Sequence, residues 1–95
     1  MEKNFRFTDA DIKKMSDRFK ILSEPSRLKI LRALSSGEKN VTEIIEKTGL
    51  LQANVSKQLK IMERNSVVSC RPAGLQRFYK IADNSVLDIC YQVCK

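Results

Sequence analysis

VTEIIEKTGLLQANVSKQLKIMERNSVV, residues 41–68, reads as two helices joined by a tight turn, and the rest of the chain is arranged about it. The first helix is expected to open at Thr42, whose hydroxyl can accept from the free amides of the first turn, with Glu43 and Glu46 facing the positive helix end. Ile44 and Ile45 form its apolar pair. Gly49 ends it, because the residue just past a helix is often left-handed and glycine has no Cβ to oppose that. A second helix follows over about residues 52–64, with Val55, Leu59 and Met62 spaced at i, i+4 and i+7 as an inward stripe. Gln52, Ala53, Asn54, Ser56, Lys57, Lys60 and Arg64 are left on the other side, short and polar near the amino end and basic further along. A helix that enters a major groove needs this gradient, since its early residues approach base edges and its later ones meet phosphates. Periodicity by itself also fits an amphipathic surface helix with solvated lysines.

Charge placement adds a second, independent signal. The chain of 95 residues carries a net +7, and residues 49–82 hold six basic residues against one acid, a balance of +5. A basic patch gathered over the proposed recognition helix and the segment after it is the footprint of a protein that meets a polyanion. The length predicts one domain over residues 1–95, small enough to gain from a partner subunit. No apolar run approaches a membrane span, and no amino-terminal charge-then-apolar pattern marks export, so a soluble, cytoplasmic protein without membrane contact is expected. Three cysteines, an odd number, argue for reduced thiols over a disulfide scaffold.

Taken in order, residues 1–7 place Phe5 and Phe7 in a short arm, and Thr8 starts a helix with Asp9 and Asp11 in its first turn. Ile12, Met15, Phe19 and Leu22 recur along it at three- and four-residue intervals. Pro25 opens the next helix, PSRLKILRALSS, expected to bury Leu28, Leu31 and Leu34 with Ile30 and Ala33 alongside. Glu38 to Asn40 connects, and Val41 can add a brief strand. After the two-helix unit, about residues 42–65, Asn65 is the expected left-handed cap. Residues 67–82 are expected to form a β-hairpin turning at PAGLQ, with Arg71, Arg77 and Lys80 around its tip, able to lie along DNA backbone or in the minor groove. The last helix, within residues 84–95, is apolar nearly all round, with Val86, Leu87 and Val93 among its apolar positions. Such a helix fits between its own core and a second subunit.

The order of these elements, with LSEPSRLKILRAL, VTEIIEKTGLLQANVSKQLKIM and the hairpin ending RFYKI, resembles the ArsR/SmtB family of winged-helix repressors over about residues 19–82. The resemblance implies a mainly α winged helix-turn-helix, about five helices plus a two-stranded wing. It also implies a homodimer joined through helices at about residues 8–22 and 84–95, bound to an imperfectly palindromic double-stranded DNA operator and released by an inducer. By motif match, Gln52, Ala53, Asn54, Ser56 and Lys57 face the groove. Three positions depart from the family: Leu51 stands at a usual capping serine, Gln58 at a common histidine, and Ser66 at a glycine.

The sensor departs further. With no histidine in the chain, the zinc site that some relatives build on the last helix is absent, and TEIIEKTGL lacks the thiols that others carry before the recognition helix. Cys70, Cys90 and Cys94 remain as soft ligands or redox groups. Cys70 reads as a small half-buried residue of the wing. Cys90 and Cys94, at i and i+4, share one helical face at the expected interface, where they either pack or bind a thiol-reactive inducer, a soft metal or metalloid ion or a sulfur species, with no resident cofactor required. A repressor without a chemical sensor, or a winged helix that binds protein, are the competing readings. An enzyme is disfavoured by the missing histidine and by the lack of paired carboxylates near a nucleophile.

Overall fold

The first three helices of this chain open at side chains that accept from otherwise unpaired amides. In the computed structural model, which describes residues 6–94, helix α1 (Asp9–Leu22) starts after Thr8 as the sequence predicts, and Thr8 and Asp11 cap it in a reciprocal box. The Glu24 carboxylate accepts from the Ser26 amide at 2.8 Å to open α2 (Pro25–Leu34), with Pro25 in the first turn. The next cap differs from expectation. Helix α3 (Val41–Thr48) starts one residue before Thr42, because Asn40 and Glu43 form the capping box instead, at 2.8 and 2.9 Å. Gly49, at φ 73°, then turns the chain toward α4 (Gln52–Arg64). Residues 1–5 of the expected arm, Phe5 among them, and the final Lys95 lie outside the described residues.

Asn65 is not the left-handed residue after α4. It stays at φ −95° with its side-chain amide donating to the Ile61 carbonyl at 2.8 Å, and Ser66 takes φ 61°. Strands β2 (Val68–Ala73) and β3 (Gln76–Ile81) form the wing, in register from Val68 opposite Ile81 to Ala73 opposite Gln76. Gly74 and Leu75 make the two-residue turn, for which Gly74 supplies φ 64°. The brief strand expected at Val41 lies at the two residues before it, Val41 itself opening α3, and gives the sheet a third strand beside the two of the wing. β1 (Lys39–Asn40) pairs with β3 through Lys39 opposite Tyr79 and Asn40 opposite Phe78, giving the order β1-β3-β2 and anchoring the wing to the start of α3.

The core gathers Ile30, Leu31 and Leu34 of α2, Ile44 of α3, the predicted Val55, Leu59 and Met62 stripe of α4, and Val67, Val68 and Tyr79 of the sheet. Burying each large aliphatic side chain is worth about 1.5–3 kcal/mol, so this set fixes α4 against α2 and α3. Helix α5 (Ser85–Val93) closes one side with Val86. Two expectations about burial are corrected here. Leu28 is exposed at an apolar cleft between α1, α2 and the last helix, while Leu31, Leu34, Ile30 and Ala33 are buried as expected. Val86, expected at the surface shared with a second subunit, lies wholly within the monomer's own core. Along α1 only Ile21 enters the core, while Ile12 and Phe19 of the apolar stripe face outward and Met15 and Leu22 are half-buried. Arg18 locks this helix in place, pairing with Asp83 at 3.0 Å and donating to the Asn65 carbonyl at 2.9 Å. Among the described residues, no helix is long and apolar enough to cross a membrane.

Candidate nucleic-acid interface

With Val55, Leu59 and Met62 turned inward, the outer face of α4 presents Gln52, Ala53, Ser56, Lys57, Lys60 and Arg64, all exposed. The seventh candidate, Asn54, is only half-exposed and its amide is engaged at both ends. Leu51, at the capping position, offers no side-chain acceptor, so the first turn of α4 starts without the side-chain cap that opens α1 and α3. Lys57, Lys60 and Arg64 form no ion pair among the described residues, which leaves this ridge electropositive.

The wing's three basic candidates stand in different circumstances. Lys80 is exposed and has no ion pair among the described residues. Arg77 donates to the Cys70 sulfur at 3.6 Å, with its guanidinium still at the surface. Arg71 instead grips Glu38 with two hydrogen bonds, at 3.0 and 2.9 Å, and lies over the Phe78 ring at 4.9 Å. That guanidinium holds the Glu38 carboxyl below the usual carboxylate range, so its charge is matched locally and ties the wing to the loop before β1. Cys70 is half-buried beside Tyr79, whose hydroxyl is pushed up to about 12, chiefly by burial and then by Cys70.

The opposite end of the molecule has another character. Between α1, α2 and α5 lies an apolar cleft of about 650 Å³, lined by Phe19, Leu22, Leu28 and Leu87 among others, and by both Cys90 and Cys94. Cys94 is exposed and Cys90 half-buried; burial, and then the neighbouring Cys94, push the Cys90 thiol up. Both thiols therefore border one cavity, as their spacing predicts. Among the described residues no group of three or more histidine, cysteine or acidic side chains comes together, so a single chain offers a soft ion these two sulfurs.

Sequence reasoning missed the polar cluster beneath α4. Gln58 is 5% exposed, the one buried polar residue among those described, and bonds to Arg27 and Asn54. The signal was available: Gln58 falls three residues after Val55 and four before Met62, on the apolar side of the helix.

Residues 24–69 match the profile of the bacterial regulatory proteins of the arsR family. An arsenical resistance operon repressor of Staphylococcus aureus is 34% identical over 76 residues, covering 80% of this chain and 72% of that protein. The crystal structure of the AntR antimony-specific transcriptional repressor superposes with a TM-score of 0.88 at 27% identity, over 99% of this chain and 86% of that one. A homodimeric winged helix-turn-helix DNA-binding domain from Mycobacterium bovis, described as a possible ArsR-family transcriptional regulator, gives a TM-score of 0.78 at 27% identity, over 95% and 86%. Other curated relatives are longer, and the chain spans 60%, 57% and 63% of three of them. These relatives are named as regulators of transcription, not as enzymes.

Proposed function

The chain belongs to the ArsR/SmtB family of winged helix-turn-helix regulators, and from that premise we propose that it is a repressor that binds an operator as a homodimer and leaves it when a thiol-reactive inducer arrives. The observation that carries the DNA-binding part is the exposed ridge of Gln52, Ala53, Ser56, Lys57, Lys60 and Arg64 on a helix whose other face is fully buried. Gln52, Ala53, Ser56 and Lys57 meet base edges in the major groove, while Lys60 and Arg64 meet phosphates. Arg77 and Lys80 of the wing add backbone contacts; Arg71, held by Glu38, contributes by fixing the wing. Selection from random duplex DNA tests this reading. It predicts an imperfect palindrome with half-sites about one helical turn apart, and recovery of no preferred sequence would overturn it.

A second copy is the proposed cover for the apolar surface of α1 and α5, where Ile12, Phe19, Leu22, Leu87 and Val93 face out or line the cleft and Met15 is half-buried. The arsenical and antimony responses named for two relatives support a soft thiophile as the inducer class, acting at Cys90 and Cys94. Residues four apart on a helix have Cβ atoms about 5–6 Å apart, beyond the ~3.5–4.5 Å that a disulfide needs, so a direct bond distorts the last turn whereas a soft ion or a short sulfur chain spans the gap. Either linkage reshapes α5 where two subunits meet and so changes the spacing of the recognition helices. Operator release by arsenite and by a sulfur oxidant is expected in the wild type and in Cys70→Ser, and lost in Cys90→Ser and Cys94→Ser. Release that persists in the latter two rules this site out.

A further inference from the structure

A line of hydrogen bonds runs beneath the recognition helix. Ser26 Oγ of α2 accepts from Asn54 Nδ2 at 3.1 Å, Asn54 Oδ1 accepts from Gln58 Nε2 at 3.0 Å, and Gln58 Oε1 accepts from Arg27 Nε at 2.8 Å. Arg27 in turn donates through Nη1 to the Lys20 carbonyl, in the last turn of α1, at 3.2 Å. Chemistry fixes the polarity of the whole line. A guanidinium only donates, so the Gln58 oxygen must face Arg27; the Gln58 amide nitrogen must then face Asn54, and the Asn54 nitrogen must face Ser26.

Resting on the DNA-reading proposal above, we infer that Asn54 is a buttress and not a base reader, and that Arg27, Gln58 and Asn54 are positioning residues setting the attitude at which α4 enters the groove. To read a base, Asn54 would have to turn its amide outward and leave Gln58 Nε2 without an acceptor at a site 5% exposed to water. The discrimination gained from a bidentate asparagine–adenine contact and the penalty of an unsatisfied buried amide are of the same size, so the turn brings no net gain. Inward, the amide joins the first two turns of α4 to α2 and, through Arg27, to the end of α1. The exposed Gln52, Ala53, Ser56 and Lys57 are then presented at one fixed rotation.

The test uses the full chain, a duplex that the wild type selects from random-sequence DNA, and a scrambled duplex of equal length. Gln58→Met removes both hydrogen bonds at similar volume, and Arg27→Lys keeps the charge while losing the Nε contact. Each is expected to lower the ratio of selected to scrambled affinity about tenfold. Gln58→Met should leave scrambled-duplex affinity and its salt slope unchanged, since no phosphate contact is lost. The double variant should be no worse than the worse single one, the signature of a shared network. Asn54→Ala should weaken base preference at several positions of the half-site together. Relaxation at one base pair alone would make Asn54 a reader and overturn the inference, as would an unchanged ratio in Gln58→Met. If Gln58→Met does not fold by circular dichroism, Ser26→Ala, at the outer end of the line, carries the same position-resolved comparison. A wild type that selects no sequence fails the DNA-reading proposal instead, so the two failures are distinguishable.

Discussion

The two ends of this molecule handle apolar surface in opposite ways. Around α4 the chain completes its own packing, with Val55, Leu59 and Met62 sealed against α2 and α3 and a polar, basic outer face. Around α1 and α5 it leaves Phe19 56% and Val93 78% exposed beside a cleft that none of the described residues fills. The first region is closed over its apolar side chains and presents charge; the second leaves apolar side chains open. The proposed function divides along this line, with recognition assigned to the packed monomer core and regulation to the face assigned to a second copy.

The largest expected effect comes from confusing the two ends. Val93→Asp should dissociate the dimer with most helix content kept, and lose ~100-fold or more in operator affinity as the two half-sites cease to be linked. Sedimentation and circular dichroism check this. Leu59→Ala, by contrast, should lower folding stability by about 2–5 kcal/mol and act through the fold itself. If Val93→Asp unfolded the chain as Leu59→Ala does, the apolar end would be core and not interface.

Within the recognition end, Ser56→Ala should weaken binding to the selected operator more than to random duplex, since a lost base contact costs about 1–3 kcal/mol only on the right sequence. Lys80→Ala should weaken both alike and reduce the salt slope by about 0.9. Equal losses in both variants would mean that α4 does not read bases. The smallest effect is expected at the junction between α4 and the wing. Ser66→Gly relieves the left-handed residue at φ 61° and should raise stability by about 1 kcal/mol, read as a higher Tm with unchanged DNA affinity.

What the sequence yields and what it withholds follow from how local each feature is. The α4 stripe, the Thr8 and Asp11 box and the shared face of Cys90 and Cys94 depend on spacing alone and are legible in one dimension. Choices between near-equal neighbours are not. Asn40 and Thr42 can both cap α3, and the decision falls to Asn40 because Glu43 stands three residues on and β1 positions it against Phe78. Leu28 and Ile30 both suit a core, and only the arrangement of α1 and α5 over α2 leaves Leu28 in the open cleft. The Arg71–Glu38 pair and the Arg27–Gln58 bond join residues 33 and 31 positions apart, and periodicity cannot see across that distance. The basic candidates are all legible as charge, but not which of them has a partner.

Salt dependence of binding to duplex DNA tests the central claim most directly. A dimer that neutralises ~6–10 phosphates through Lys60, Arg64, Arg77 and Lys80 of each copy should lose log affinity against log salt with a slope of about −5 to −9. A slope near zero, or no binding at low salt, would contradict the account and leave the basic ridge of α4 without a nucleic-acid role.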